Sequence, residues 1–591
     1  MNKYGWWLVL GLVSLLAIGA GAQEVYFHGA AGWEPPPLYH GNHFAPGGVG
    51  GAYWWVFEPL FVYVPGPGDT IPSGVFAGRD RMIPRLAVSY QDTPQAFVVR
   101  LRQGVKWHDG QPFTSKDVLC TFKIGYLKHW AIWRYLDRIE TPDDYTVIFY
   151  WKAPTPFAKP LIAGQTIRWP YHIYGEWADR VDITVPTEEE PNKSVTEELL
   201  NFKPEKPIGT GPFMLNEVTA SEMLLVKFPE YWAADQVDFA GVKLYRWVNN
   251  YVVWGYLLGG EIDAAHPATR RDITEAILQV PGMRLATPTD LAGFCLAFNL
   301  RETLPDGRPN PFLDLKFRQA IAYAIDRAEL AEATYWAGLP ITDYATGMLE
   351  SMRAAWGVTD AWMGANLTEY SYDPVKAAAL LTTLGYRKGP DGIWEDAEGN
   401  DLRFSLVAHA GYSDWVIAID NIASQLKAFG IVIEPETRPG SIYWTSIRAG
   451  NFDLCMEWTA TSWGYAHPWA ELRRTLHVDG DTGKTIGLAE TPYVFVGPDG
   501  EPVETTALID QLGSTFDPET QVELIKTLAW IHNENLPVLP FVEKRIMIFH
   551  REGVRVTGWP ALDDPLWLLC PGGIERFYTT LMVEGVIQAV P

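Results

Sequence analysis

Residues 99–118 read Val99-Arg-Leu-Arg-Gln-Gly-Val-Lys-Trp-His-Asp-Gly-Gln-Pro-Phe-Thr-Ser-Lys-Asp-Val118. The Asp109-Gly110 dipeptide is typical of tight turns, because glycine adopts positive φ without steric cost. Thr114 precedes a helical pattern that includes residues 116–122 and is a suitable N-cap. The segment therefore predicts a strand, a turn and a helix. In that arrangement His108 belongs to the turn region and forms no catalytic pair with Asp109.

The remainder of the chain predicts a mixed α/β protein. Strand-like runs occur over residues 96–101 and 146–151. Helical patterns follow at three places, namely 315–333, 374–384 after an Asp373 cap, and 417–429 ending at Gly430. Arg318 and Asp326 lie eight positions apart on one face of the first of these helices, which predicts an internal ion pair.

Several further segments, taken in their order and spacing, resemble one protein family. They are Phe57-Glu-Pro-Leu-Phe61, Pro84-Arg-Leu-Ala-Val-Ser89, residues 102–118, Gly209-Thr-Gly-Pro212, Gly260-Glu-Ile-Asp263, Ala297-Phe-Asn299, residues 312–326, residues 372–377, Leu384-Gly-Tyr386, Gly430-Ile-Val-Ile433 and Phe452-Asp-Leu454. The series resembles the extracellular solute-binding proteins of family 5, which are the dipeptide, oligopeptide, nickel and oligosaccharide receptors of ABC importers. This resemblance runs along nearly the whole mature chain and implies a protein that captures a ligand without transforming it.

The resemblance also implies an α/β, two-lobed periplasmic-binding-protein fold, class II-like and of the large type with an extra subdomain. Lobe I would comprise residues 23–58, 205–288 and 535–591, with an inserted subdomain over 59–204 and lobe III over 289–534. Crossings between the lobes would act as a hinge, so that ligand stabilises a closed form recognised by the ABC permease. We expect a monomer that requires no cofactor.

The first 22 residues have the features of a secretory signal peptide. Lys3 precedes an apolar run over residues 6–18, and Ala20-Gly-Ala22 supplies the small residues that a signal peptidase requires. This run is shorter than the ~20 apolar residues of a membrane-spanning helix, which favours cleavage after Ala22 over a retained anchor. No cysteine lies at the junction, so we expect a free periplasmic or extracellular protein.

Composition and motifs exclude several classes of function. A length of 591 residues implies two or three domains, and a formal net charge of -24 argues against nucleic acid as a partner. No GxSxG elbow, HExxH helix or nucleotide loop is present. A secreted glycoside hydrolase is the alternative class, because abundant Asp and Glu could supply its two carboxylates, about 5 to 10 Å apart. We expect a binding protein and not an enzyme.

The cysteines and the N-terminal histidines carry no clear metal pattern. Cys120, Cys295, Cys455 and Cys570 have no CxxC spacing, and most lie in apolar stretches that predict buried thiols. An exported compartment still permits one long-range disulfide. His40 and His43 have no paired Cys or carboxylate ligand nearby, so we predict no metal site, although nickel carriers occur in the family.

The segment from Phe452 to Trp469 bears most directly on ligand class. Peptide-binding members of the family carry an aspartate shortly after the tryptophan of a GW..D segment, where it neutralises the peptide's amino terminus. Trp458 matches this tryptophan, but no aspartate follows it here. A buried ammonium without a carboxylate would be unfavourable by several kcal/mol. Glu457 could substitute for the aspartate, which keeps oligopeptides as the alternative ligand.

The chain is rich in rings, with 26 Trp and 27 Tyr, and such rings stack on pyranose faces. The predicted ligand-binding residues are Trp33, Tyr39, Asn42, Asn249, Asn250, Trp444, Glu457, Trp458, Thr459, Trp463, Tyr465 and Trp469. The N-terminal stretch, which holds Trp33, Tyr39 and Asn42, also contains three consecutive prolines, and a rigid surface turn is an equally good interpretation of it. The sequence thus predicts a periplasmic receptor for a β-linked di- to pentasaccharide.

Overall fold

The computed structural model describes residues 24–66, 69–462, 464–571 and 573–590, so the predicted signal peptide lies outside the described residues. Lobe I is built around a seven-stranded sheet. Its strands in spatial order are Phe213–Val218, Glu222–Lys227, Gly241–Arg246, Tyr26–Ala31, Ala264–Ala265, Ile548–Arg551 and Met283–Ala286. Tyr26–Ala31 pairs in parallel with both Gly241–Arg246 and Ala264–Ala265. Gly241–Arg246 and Ala264–Ala265 therefore have their carboxyl ends at the same edge of the sheet.

Lobe III is built around a six-stranded sheet. Its strands in order are Leu339–Pro340, Val538–Arg545, Thr289–Phe298, Leu454–Thr459, Arg403–His409 and Val432–Arg438. Thr289–Phe298 is buried along nearly its whole length, as expected of a central strand covered on both faces. Arg403–His409 pairs in parallel with Leu454–Thr459, so these two strands also end at one edge.

Two chain crossings connect the lobes. One runs from Met283–Ala286 to Thr289–Phe298, and the other from Val538–Arg545 to Ile548–Arg551. The amide of Ile546 donates to the carbonyl of Pro288 at 3.0 Å and ties the two crossings together. The predicted boundary at residue 535 placed Val538–Arg545 in lobe I. The strand instead lies in the lobe III sheet, because it pairs antiparallel with the distant Thr289–Phe298.

The region between residues 59 and 204 contains a four-stranded antiparallel sheet. Its strands in order are Ala87–Asp92, Ala96–Leu101, Thr146–Trp151 and Leu136–Asp143, which confirms the two strands predicted here. Gly110 has a φ of 86°, and Thr114 forms a capping box with Asp117 at the start of helix Ser115–Leu127. The predicted strand, turn and helix are therefore confirmed. One ring nitrogen of His108 lies 2.9 Å from the carbonyl of Gly211, a structural contact.

Helices cover these sheets. They are Tyr53–Val56, Ser115–Leu127, Ala158–Ala163, Tyr171–Arg180, Asn192–Asn201, Asn250–Leu258, Arg271–Ile277, Leu315–Ala324, Arg327–Tyr335, Asp360–Asn366, Pro374–Thr383, Ser413–Phe429, Gly440–Arg448, Pro468–Leu476, Asp481–Ile486, Thr505–Ser514, Pro518–Asn535 and Ile574–Val583. Asp373 caps Pro374–Thr383 as predicted. Ser413–Phe429 ends at Gly430, which has a φ of 105°.

The helix predicted over residues 315–333 is two helices. Asp326 caps the second one by accepting from the amides of Ala328 and Glu329, so it does not pair with Arg318. Arg318 is fully buried and donates to the carbonyls of Phe312, Asn535 and Leu536. The predicted ion pair is therefore wrong, because the carboxylate is used at a helix start.

The four cysteines are buried free thiols, as predicted, and burial raises the pKa of each. The inserted region shares a hydrophobic core with lobe III, where Phe157 stacks on Trp469 with ring centroids 4.5 Å apart. Within the described part of the chain, no helix combines the length and apolar character needed to cross a membrane.

Candidate ligand-binding cleft

A cavity of about 260 Å³ lies between the two lobes. Its lobe I wall comprises Trp247, Asn250, His266, Ala268, Cys570, Gly573, Ile574 and Glu575. Its lobe III wall comprises Asp290, Tyr412, Asp414, Trp458 and Lys544, with Ile546 at the crossing. Because both walls carry rings and polar groups, the cavity has the composition of a small-molecule site.

The two sheets place these residues at strand ends. Trp247 and His266 directly follow Gly241–Arg246 and Ala264–Ala265, which end at the same edge of the lobe I sheet. In lobe III, Trp458 lies near the end of Leu454–Thr459, and Tyr412 follows the parallel strand Arg403–His409. The carboxyl ends of parallel strands are a common position for ligand sites in α/β proteins.

Aromatic rings are present on both walls. Trp247 packs against His266 with ring centroids 5.0 Å apart. On the opposite wall, Trp458 lies 5.1 Å from Phe294, and Tyr412 stacks on His409 at 4.1 Å. Trp247, Tyr412 and Trp458 are half-buried, so part of each ring is accessible to a ligand.

One ion pair lies beside the hinge. The Lys544 ammonium is 3.0 Å from a carboxylate oxygen of Asp290, and their side chains are 14% and 5% exposed. The same ammonium lies 5.1 Å from the centroid of Trp458, within cation–π range. Burial raises the pKa of Asp290, and Lys544 opposes that shift. The pair holds Lys544 on the lobe III wall.

Two further carboxyl groups face the cavity, one from each lobe. Asp414, in the first turn of Ser413–Phe429, is 7% exposed, and burial raises its pKa. Glu575, in the first turn of Ile574–Val583, has its pKa raised to about 7 by burial. Burial lowers the pKa of His266 to about 3, so that imidazole is neutral at physiological pH. The cavity walls therefore present carboxyl groups and a neutral imidazole beside the aromatic rings.

The lobes touch each other beside the cavity. The side-chain amide of Asn250 in lobe I donates to the Ser413 hydroxyl in lobe III at 2.7 Å. A second cavity of about 180 Å³ adjoins the first and shares Ala268 and Asp414 with it. Trp254 and Trp336 line this second space. The two adjoining cavities are together called the cleft.

The predicted residues of the N-terminal stretch are engaged within the protein. The Trp33 indole donates to the carbonyl of Thr219 at 3.0 Å, and the Tyr39 hydroxyl donates to Val49 at 3.5 Å. Asn42 is fully buried and donates to the carbonyls of Leu199 and Phe202. One ring nitrogen of His40 lies 3.0 Å from the carbonyl of Pro46. None of these residues lines the interlobe cavity.

Of the remaining predicted residues, some line the cavity and others lie elsewhere in the protein. Asn250 and Trp458 line the cavity, whereas Asn249 caps the helix Asn250–Leu258. Trp444 packs at 6.1 Å from Trp415, and Thr459 is fully buried in its strand. Tyr465 and Trp469 lie together against Phe157, at the contact between lobe III and the inserted region. Trp463 lies outside the described residues.

Glu457, the candidate anchor for a peptide's amino terminus, is fully buried away from the cavity. Its carboxylate accepts from Thr485 at 2.8 Å and lies 3.3 Å from Arg474. Successive residues of a strand point to opposite faces of the sheet, which is why Trp458 faces the cleft and Glu457 does not.

Most of the polar cleft residues were not predicted from the sequence. They are His266, Asp290, Asp414, Lys544 and Glu575. A usable signal was Lys544, since a charged Glu-Lys-Arg triplet ends an otherwise apolar strand. Glu575 carries no comparable local signal, because its position depends on packing of the last helix against the sheet.

A model of bacterial extracellular solute-binding proteins, family 5 Middle, matches residues 81–481. The chain belongs to this family. Among curated relatives, a probable ABC transporter-binding protein of Deinococcus radiodurans is 22% identical over 440 residues, which are 67% of this chain and 70% of the relative. The dipeptide-binding protein of Escherichia coli is 25% identical over 348 residues, 53% of this chain and 56% of the relative. The chain is accordingly a substrate-binding component of an ABC importer.

Solved structures confirm the two-lobed fold of this solute-binding protein. A mannohexaose-bound periplasmic oligopeptide-binding protein of Thermotoga maritima matches with a TM-score of 0.73 and 22% identity, covering 96% of this chain and 99% of that chain. The oligopeptide-binding protein AppA of Bacillus subtilis, in complex with a nonapeptide, matches with a TM-score of 0.69 and 18% identity, covering 96% and 99%. Among the described residues, no group of three or more His, Cys, Asp or Glu side chains could hold a metal ion.

Proposed function

We propose that this solute-binding protein captures an oligosaccharide in the interlobe cleft and delivers it to its permease. The observation that carries the proposal is the pairing of rings and hydrogen-bond acceptors on facing walls. Trp247 and Trp458 present indole faces from opposite lobes, and Asp414 and Glu575 lie near them. Pyranose rings stack on indole, and their hydroxyl groups donate to carboxylates.

Closure of the lobes would enclose the sugar. The contact between Asn250 and Ser413 at 2.7 Å bridges the lobes beside the cavity and favours the closed arrangement. The two crossings near residues 287 and 546 would act as the hinge, with a closed monomer as the form that reaches the permease. A periplasmic or extracellular location after removal of the signal peptide belongs to the same proposal.

The comparisons give this proposal partial support. One similar structure is described with bound mannohexaose, a saccharide. Most similar relatives, in contrast, carry peptide-binding names, including the putative ABC transporter peptide-binding proteins of several Brucella species. At these identities, similarity indicates fold and not ligand, so the proposal depends on the cleft itself.

An oligopeptide is the second candidate, and one observation favours it. Asp414 and Glu575 are desolvated carboxyl groups that line the cleft, and either could neutralise a peptide's amino terminus. If peptides bind, Asp414 is a better anchor than Glu457, because Glu457 is already engaged by Arg474 and Thr485.

A thermal-shift panel on the mature chain tests the proposal. Ligand at about 100 times its Kd adds about 2.7 kcal/mol to the free energy of unfolding, enough for a visible rise in Tm. We expect a rise with gluco-, manno- or xylo-oligosaccharides and none with di- to nonapeptides. A rise with peptides alone would replace the oligosaccharide with the second candidate.

Two tryptophan variants test whether the saccharide binds in the cleft. Trp247→Ala and Trp458→Ala should each raise the Kd for the active saccharide by at least about tenfold, since buried aromatic anchors dominate binding energy. Trp362→Ala is the matched control, because Trp362 packs against the core of the inserted region, away from the cleft. Equal affinity in wild type and both cleft variants would place the sugar elsewhere.

A further inference from the structure

The charges in the cleft bear on which saccharides can enter it. Of the described residues that line the 260 Å³ cavity, Lys544 is the one with an ammonium or guanidinium group. Its ammonium is already paired with Asp290 at 3.0 Å, in a setting where both side chains are mostly buried. The pair is therefore electrically neutral toward a ligand.

In the adjoining cavity, the two arginines among the described lining residues already have carboxylate partners. Arg270 lies 2.6 Å from Asp272, and Arg271 lies 3.1 Å from Glu332. Both arginines are on the rim of this cavity and both already have a carboxylate partner. A negatively charged ligand would have to break one of these pairs to gain a counter-charge.

Among the described residues that line the 260 Å³ cavity, the three carboxyl groups of Asp290, Asp414 and Glu575 outnumber the single ammonium of Lys544. Asp414 approaches from lobe III and Glu575 from lobe I, so closure brings both toward one ligand. Both carboxyls are desolvated, and Asp414 also interacts with the Lys544 ammonium, which is already paired with Asp290. They can accept hydrogen bonds from hydroxyl groups, whereas a third carboxylate would meet repulsion and desolvation without compensation.

Resting on the proposed function, we propose that this cleft selects saccharides without carboxylate groups and rejects uronic acid oligomers, with Asp414 and Glu575 setting the selectivity. The whole molecule acts in the same direction, because a net charge of -24 repels anionic ligands before they reach the cleft.

Isothermal titration calorimetry with matched saccharides tests this selectivity. β-1,4-Mannotetraose and β-1,4-tetramannuronate differ only in the oxidation of carbon 6, and cellotetraose with its carbon 6 oxidised form gives a second pair. We expect the neutral member of the recognised sugar series to bind at least about tenfold more tightly than its uronate at pH 7.5 and 0.15 M salt. At that salt concentration the Debye length is about 8 Å, so the distant surface charges are largely screened. The difference between the two Kd values then reports mainly the charges in the cleft.

Three variants assign the effect to residues. Asp414→Asn and Glu575→Gln should each reduce the ratio of the two Kd values severalfold by removing a like charge. Asp290→Asn should reduce it further, because it frees the Lys544 ammonium to pair with a uronate. Glu197→Gln, an exposed carboxylate far from the cleft in sequence and on another helix, should leave the ratio unchanged. Thermal melts confirm that each variant is folded.

The outcomes separate this inference from the proposed function. If a uronate binds as tightly as its neutral counterpart, the selectivity is overturned while saccharide binding stands. If neither saccharide binds and a nonapeptide does, both are overturned. A ratio that stays the same in all three cleft variants would contradict the assignment to Asp414 and Glu575.

Discussion

Glu457 and Trp458 are neighbours in sequence and have opposite environments. Trp458 is half-buried and lines the cleft, whereas Glu457 is fully buried on the other face of the sheet. There Glu457 is held by Arg474 and Thr485. Side chains alternate between the two faces of a strand, and this alternation decides that Trp458, and not Glu457, can contact a ligand.

Glu457→Gln separates stability from binding. Glu457→Gln removes one of two carboxylate partners of Arg474, which keeps its pair with Asp481, so the free energy of unfolding should fall by about 1 to 2 kcal/mol. The Kd of the folded protein for its saccharide should stay within about twofold of wild type, since the carboxylate does not face the cleft. Urea denaturation and calorimetry measure the two quantities. Unchanged stability with lost binding would make Glu457 a ligand anchor.

At the scale of elements, the helix starts around the cleft connect the two lobes. Asn250 begins a lobe I helix and bonds to Ser413, which begins a lobe III helix. This contact can form only when the lobes are close, so it should contribute to ligand affinity through closure.

A double-mutant cycle tests that contribution. Asn250→Ala and Ser413→Ala should each raise the ligand's Kd by about fivefold, equivalent to ~1 kcal/mol for one buried hydrogen bond. The double variant should show little further loss, because both changes remove the same contact. Strictly additive effects, measured by calorimetry, would mean that the two residues act independently.

Individual strands and helix ends were more predictable from sequence than the distant segments with which they pair or pack. The strands over 96–101 and 146–151 and the end of Ser413–Phe429 at Gly430 match, because alternation and a left-handed C-cap are encoded locally. Val538–Arg545 was assigned to the other lobe, since its sheet is decided by pairing with a strand far away in sequence. Lys544 and Glu575 were missed for the same reason, because long-range packing brings them to the cleft.

At the scale of the whole molecule, buried titratable groups predict a stability maximum near neutral pH. Among the described residues, burial lowers the pKa of nine imidazoles, to about 3 for His266 and His467 and to about 4 for His108, His409, His532 and His550; it also lowers the pKa of His28, His43 and His477. Burial raises the carboxyl pKa of Glu58 and Glu575 to about 7 and of Glu471 to about 8.

These shifts act in opposite directions. Below about pH 6.5 the unfolded chain takes up protons on imidazoles that the folded protein leaves neutral, so stability falls as pH drops toward 4. The three carboxyls hold protons in the folded state above their unfolded pKa of about 4.5, so their contribution falls as pH rises toward 8. On the acid side the imidazoles have the larger effect on stability, and above pH 6.5, where the imidazoles of the unfolded chain are mostly neutral, the buried carboxyls determine how stability changes with pH. Chemical denaturation between pH 4 and 9 should therefore give a maximum between about pH 6 and 7. Stability that still rises from pH 7 to 8 would contradict this balance.

The most direct measurement of the cleft's role is a crystal structure of the mature protein with the saccharide that gives the largest thermal shift. We predict a sugar ring stacked on Trp247 or Trp458, hydroxyl groups within hydrogen-bond distance of Asp414 and Glu575, and the Asn250–Ser413 contact intact. Density for a peptide in this cleft, or a saccharide bound away from these residues, would contradict the proposed function.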